Sequence, residues 1–169
     1  VSFKSKIIIS GSTCLTIFET NLLASLLSVS TVTSNLEKFT DSNLIKRAIE
    51  VLESRGVKMV DFAYIQYDEE CAKLHYTEKS GKPYYMELVN YIISDKAFGM
   101  IYEGNDALTI CRNTVEELRK TLPKEFNVKT DIMRNILHCS SKTKVGDTML
   151  ELDTQREIAL FYYLKKKQI

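Results

Sequence analysis

Two histidines, His75 and His138, and four cysteines, Cys14, Cys71, Cys111 and Cys139, are the residues of this 169-residue chain best suited to act as nucleophiles, soft metal ligands or cross-links. No two of the cysteines form a C-x-x-C pair, so with only two histidines a zinc site is not expected. Isolated cysteines in a chain of this size read as buried thiols in a reducing, cytoplasmic compartment. A lone histidine at a strand end usually makes an ordinary hydrogen bond, and His75 reads as a surface residue. The charge balance, 23 basic against 22 acidic side chains for a net +1, gives no electrostatic reason to expect nucleic acid or an anionic membrane as partner. Any phosphate chemistry must therefore come from a local site.

The elements that would position such a site follow from periodicity. With 44% hydrophobic and 27% charged residues the chain is read as one domain, residues 1–169, with a real core. No run of about 18 apolar residues is present, so no spanning helix is expected. Lys4 and Lys6 precede an apolar stretch in the manner of a signal peptide, but no convincing cleavage signal follows. The chain begins with Val1, which leaves room for an upstream segment. Residues 6–9 and 14–18 are short β-prone runs split by Gly11, and residues 22–40 read as a loop or irregular insertion.

A helix follows, capped by Asp41 or Ser42, with Leu44, Ile45, Ala48, Ile49 and Leu52 as its apolar stripe and Gly56 as its stop. Residues 57–67 read as a strand. Asp68 caps a short helix through Leu74, and Pro83 suits the first turn of the next, which buries Tyr85, Leu88, Val89 and Ile92. Residues 97–102 read as a strand, 106–120 as a helix, 132–138 as a strand leading into a polar stretch to Asp147, and 150–164 as a last helix. Lys165, Lys166 and Lys167 then sit at the negative end of that helix. The order is that of an α+β fold, a ferredoxin-like antiparallel sheet flanked by helices, close to β-α-β-β-α-β.

Several segments, in order, resemble one family. Asn135-Ile136-Leu137-His138-Cys139-Ser140, preceded by Arg134, is similar to the R-N-I-I-H-G-S active-site strand of nucleoside diphosphate kinases. Residues 44–56 resemble that family's first helix. His75-Tyr76 and Lys82-Pro83-Tyr84-Tyr85 resemble its H-Y and R-P-F-F elements, and residues 100–104 (MIYEG) its M-V-W-E-G strand. Arg112 follows at the family's spacing, and Gln155-Arg156-Glu157-Ile158 resembles its E-K-E-I. The match runs from about residue 43 to 161, which makes residues 41–164 the best-matching part and residues 1–40 a diverged first strand plus insertion.

The resemblance implies a histidine that takes the γ-phosphate of a nucleoside triphosphate and passes it to a diphosphate. By that likeness His138 is the nucleophile, Glu157 its orienting partner and Ser140 a neighbour of the ring. Tyr76 would lie beside the phosphates, Tyr84 stack on the base, Arg112 contact phosphate and Asn135 bind ribose. Mg²⁺ would arrive with the nucleotide, and a homo-oligomer is possible because the family commonly forms dimers and hexamers. From the residues alone, Tyr84 reads equally as packing at a helix start, Arg112 as a partner of Glu116, and Glu157 as part of a solvated face.

The pattern also breaks. No K-P-D lysine ends the first strand: residues 15–20 put Phe18 or Glu19 there, and aligning residues 7–11 instead puts Ser10 there. The family's second arginine falls in Leu122–Phe126, where Lys124 is the cation at hand, and the family's glycine after the histidine is Cys139. Losing one preorganised donor to transition-state charge costs roughly 2.7–4 kcal/mol, about 10²–10³ in rate. Two main expectations follow, beside a third, a nucleotide sensor that binds without transfer. One is a weak or inactive member, a pseudoenzyme serving as a structural module with protein partners, placed by family analogy in a ciliary axoneme or another cytoskeletal assembly. The other is an active phosphotransferase that recruits Lys4, Lys6, Lys38 or Lys124.

Overall fold

The computed structural model describes residues 13–19, 43–127, 136–150 and 152–168. Among the described residues, four strands form one sheet: β1 (Thr13–Glu19), β2 (Lys58–Ile65), β3 (Ala97–Glu103) and β4 (Leu137–Cys139), in the order β2-β3-β1-β4. Every neighbouring pair is antiparallel. The main helices are α1 (Asn43–Ser54), α2 (Glu69–His75), α3 (Tyr85–Ile93), α4 (Ala107–Glu125) and α5 (Leu152–Lys167). With α1 between β1 and β2 and α4 between β3 and β4, this is the ferredoxin-like β-α-β-β-α-β arrangement, to which α2, α3 and α5 are added.

The alternation of side chains along β3 divides the core in two. Phe98, Met100 and Tyr102 pack with Leu44, Ile45, Ala48 and Leu52 of α1 and with Cys111, Val115 and Leu118 of α4. Ala97 and Ile101 face the other way, into a cluster with Ala72 of α2, Val89 and Ile92 of α3, and Ile158, Phe161 and Leu164 of α5. Gly99 lies on this second face, where an added Cβ would stand 2.8 Å from the Phe161 ring. Its missing side chain lets α5 settle onto β3 and so fixes the helix that carries Glu157.

The local signals for α1 and α2 act as expected. The stripe on α1 is buried apart from a half-buried Ile49, and Gly56 ends the helix with φ +92°. Asp68 accepts a hydrogen bond from the Cys71 backbone N–H at 2.8 Å, which caps α2. The capping residues expected for α1, Asp41 and Ser42, and the run at residues 6–9 lie outside the described residues.

Other boundaries differ from expectation. Pro83 precedes α3, which starts at Tyr85. Helix α4 continues past Lys120 to Glu125 with Pro123 inside its last turn, closed by the Phe126 N–H donating to the Leu122 carbonyl at 2.9 Å. Asn127, at φ +53°, then stops it. The expected 132–138 strand is β4, with residues 132–135 outside the described ones. The polar stretch after it holds a hairpin, β5 (Thr143–Val145) and β6 (Thr148–Leu150), turned at Gly146 with φ +60°. That hairpin pushes the start of α5 to Leu152, and the helix runs on through the three lysines to Lys167.

Candidate active site

Strand β4 is short, but its pattern aims the histidine. Leu137 and Cys139 are buried in the α1/α4 core, so His138 between them points to the opposite face, toward α2 and α5. Pairing with Ile17 of β1 fixes the position of His138 along the sheet. On the outer flank of β4, two arginines of α4 hold its carbonyls. Arg119 Nε donates to the Leu137 oxygen at 2.7 Å, and Arg112 Nη1 to the Cys139 oxygen at 3.1 Å.

Helix α5 brings up the carboxylate. Its buried stripe runs Asp153, Thr154, Glu157, Ile158, Phe161, Leu164: polar in the first two turns, apolar beyond. Phe161 anchors against β3, and Glu157, one turn earlier, meets His138. Both carboxylate oxygens lie 3.2 Å from His138 Nε2. Ser140 Oγ donates to Glu157 Oε2 at 2.6 Å and is fully buried. With Nε2 facing a carboxylate, the imidazole keeps its proton there and leaves Nδ1 as the nitrogen with a free lone pair.

Burial works against the charge on Glu157. The His138 and His75 imidazoles and the hydrogen bonds from His138 and Ser140 outweigh it and bring the carboxyl down to about 2. Glu157 is therefore an anion at neutral pH.

His75 overturns its expectation. It is 1% exposed, not a surface residue. Its ring stands 5.0 Å from that of His138, and its Nε2 is 3.8 Å from Glu157 Oε1. Tyr67 Oη lies 3.2 Å from its Nδ1. A Tyr67 hydroxyl donating to Nδ1 leaves the His75 proton on Nε2, facing the carboxylate, which is the attractive arrangement. Burial pushes the His75 pKa down to about 4, against the pull of Glu157, so the ring is neutral at neutral pH. Arg156, beside Glu157 in sequence, ties the corner together: its Nη2 meets Glu78 and Asp153 at 2.9 Å each and donates to the His75 carbonyl at 3.3 Å.

Of the residues singled out in the sequence, the structure gathers His138, Glu157 and Ser140 into one hydrogen-bonded unit. Tyr76 is buried and stacks edge-on against His75 at 4.7 Å. Arg112 is bonded to the carbonyl next to His138 and lies 3.9 Å from Glu116, the alternative partner expected for it. Glu157 is 3% exposed, which excludes the solvated-face reading. Tyr84 stands exposed just before α3, and Lys124 exposed in the last turn of α4. Asn135, Lys4, Lys6 and Lys38 lie outside the described residues.

Sequence reasoning missed His75, Tyr67 and Arg156. One signal was available: Cys71, Ala72 and His75 recur at helical spacing on the buried side of α2. The expectation of buried thiols holds for Cys71, Cys111 and Cys139. No described helix is long and apolar enough to cross a membrane.

Known proteins resemble this chain in sequence and in fold. The family model for nucleoside diphosphate kinase matches residues 38–166. The nucleoside diphosphate kinase of Listeria welshimeri is 32% identical over 128 residues, covering 72% of this chain and 80% of its own. That of Methanosphaera stadtmanae is 36% identical over 117 residues, covering 65% and 70%. Among solved structures, the halophilic nucleoside diphosphate kinase from Halobacterium salinarum in complex with CDP superposes with a TM-score of 0.58 at 25% identity, over 88% of this chain and 86% of that one. The enzyme from Encephalitozoon cuniculi gives 0.60 over 89% and 88%, and at 19% identity supports the fold alone. The chain belongs to the nucleoside diphosphate kinase family.

Proposed function

We propose that the chain moves the γ-phosphate of a nucleoside triphosphate onto a nucleoside diphosphate through a phosphohistidine at His138, at a reduced rate. The observation that carries this is the His138 Nε2–Glu157–Ser140 chain, which leaves Nδ1 as the nucleophile. The Nδ1 lone pair forms the N–P bond, and the bond from phosphorus to the β,γ-bridging oxygen breaks. The diphosphate leaves with that oxygen and its electron pair. Positive charge grows on the ring as the N–P bond forms, and the Glu157 carboxylate at 3.2 Å stabilises it more in the transition state than in the ground state. The second half-reaction reverses these steps with a new diphosphate.

Arg112 and Tyr76 flank the site and are the described side chains proposed to meet the phosphates, with Tyr84 against the base and Asn135 at the ribose. Mg²⁺ is proposed to enter with the phosphates, which suits its preference for oxygen ligands and retained waters.

The reduced rate rests on β1. Its residues Thr13–Glu19 include no lysine or arginine, so Phe18 or Glu19 would stand where the family carries its phosphate-steering lysine. The same observation favours the second reading, a non-catalytic module working with protein partners. Phosphate exchange between ATP and a nucleoside diphosphate, measured on wild type and His138→Asn, separates the two. Slow exchange that vanishes in the variant supports phosphotransfer, and exchange that persists in it, or is absent from both, contradicts it.

A further inference from the structure

We propose that His75 Nε2, His138 Nε2 and Glu157 Oε1 form a binding site for one transition-metal ion of the Zn²⁺ class, set inside the phosphoacceptor cluster. The three ligand atoms lie within 4.8 Å of one another. Two of the separations are 3.2 Å, from His138 to Glu157, and 3.8 Å, from His75 to Glu157. Around a tetrahedral zinc with ligand bonds of 2.0–2.1 Å, ligand atoms stand about 3.3 Å apart. Those two separations lie near that value, and the third, between the two histidines, is within 4.8 Å and shortens as the set closes on an ion.

A second observation points to a ligand. His75 Nε2 is fully buried and has no hydrogen-bond partner among the described residues, although it is aimed at the carboxylate. A buried polar atom left in that state is uncommon.

The surroundings suit coordination. Tyr67 Oη, 3.2 Å from His75 Nδ1, can accept as well as donate, so His75 can move its proton from Nε2 to Nδ1 and present a lone pair to the ion. Ser140 keeps its bond to Glu157 Oε2 and leaves Oε1 for the metal. His138 is 24% exposed, so the cluster is reached by solvent on that side, and water is the fourth ligand proposed. Two imidazoles and one carboxylate favour Zn²⁺, Co²⁺ or Cu²⁺ over the oxygen-seeking Mg²⁺.

The site itself does not depend on phosphotransfer, but its consequence rests on that reading. With metal on Nε2, the His138 proton moves to Nδ1, and the phosphoacceptor loses its lone pair.

Titration of the nucleotide-free full chain with ZnCl2 and with CoCl2 tests the site. Calorimetry should show one ion per chain, and cobalt should give visible d–d bands without an intense thiolate charge-transfer band. Affinity should fall by at least about 10–100-fold in H75Q, in E157Q and in Y67F. In wild type, zinc should shift the imidazole ¹⁵N signals of His75 and His138 together. A thiolate band, undiminished affinity in H75Q and E157Q, or a titration that leaves the His75 ring unshifted would overturn the proposal. Phosphorylation is then measured with and without Zn²⁺. A chain that takes no phosphate even without the metal refutes the phosphotransfer reading alone, because the binding data stand separately.

Discussion

Replacing Glu157 by glutamine changes one oxygen into an NH2 group and removes the charge behind the phosphoacceptor. Ser140 donates to Oε2 at 2.6 Å, so the glutamine keeps its oxygen on that side and turns its NH2 toward His138 and His75. An amide N–H donating to His138 Nε2 forces the ring proton onto Nδ1, the nitrogen that must attack. A hydrogen bond to a charged group contributes about 1.5–3 kcal/mol, or about 10–150-fold in rate. A carboxylate-to-amide change that puts a histidine in the wrong tautomer lowers turnover by about 10⁴ in the serine-protease triad. Phosphohistidine formation in E157Q should therefore fall by about 10²–10⁴. Glu157→Asp keeps the charge but draws it back by one methylene and should lose less. Rapid-quench labelling measures the rate, and ¹⁵N spectra of the imidazoles report the tautomer whatever the turnover. A variant that keeps the Nε2–H tautomer and the wild-type rate would refute the reasoning.

Acid should weaken the fold in a defined window. His75 ordinarily titrates near 6.5 but near 4 in the fold, so the unfolded chain binds a proton that the folded chain refuses. Stability is full above pH 6.5 and falls by about 3 kcal/mol as pH drops toward 4. Glu157, lowered from 4.5 to about 2, adds a further loss between those values. Urea midpoints against pH check this: H75N should flatten the upper part of the profile, and an unchanged slope would contradict it. Gly99→Ala drives a methyl into the Phe161 ring and should cost about 1–3 kcal/mol. Adding Phe161→Leu should recover part of that, whereas strict additivity in the double-mutant cycle would argue against the contact. Arg119→Ala strips a donor from the Leu137 carbonyl and should cost about 1–3 kcal/mol, with faster amide exchange along β4; unaltered exchange there would count against the bracing role.

How much of this was legible in the sequence depended on range. The α1 stripe, the Gly56 stop and the Asp68 cap are local: each is decided within a few residues by periodicity, positive φ or a single side-chain oxygen. His138, Glu157 and Ser140 could be paired because the family resemblance carried them, although periodicity alone left Glu157 on a solvated face. The contacts of His75 with Arg156 and Glu157 come from about eighty positions away, and the only local sign of its burial is its helical spacing with Cys71 and Ala72. The β5–β6 hairpin is a different kind of miss. Gly146-Asp147 between alternating Thr143–Val145 and Thr148–Leu150 is a short-range hairpin signal that length and polarity obscured. The α4 extension to Glu125 carries Pro123, a residue that helix interiors disfavour. In the last turn proline only omits an N–H that little of the helix remains to use, and the φ it imposes is already helical.

Site mapping of the phosphoprotein tests the central claim most directly. After incubation with γ-labelled ATP and Mg²⁺, the chain should carry an acid-labile, alkali-stable phosphate bonded to Nδ1 of His138, and label should be absent from His138→Asn. Label on His75, on a hydroxyl residue, or undiminished in the His138 variant would contradict it, as would a wild-type chain that takes no phosphate.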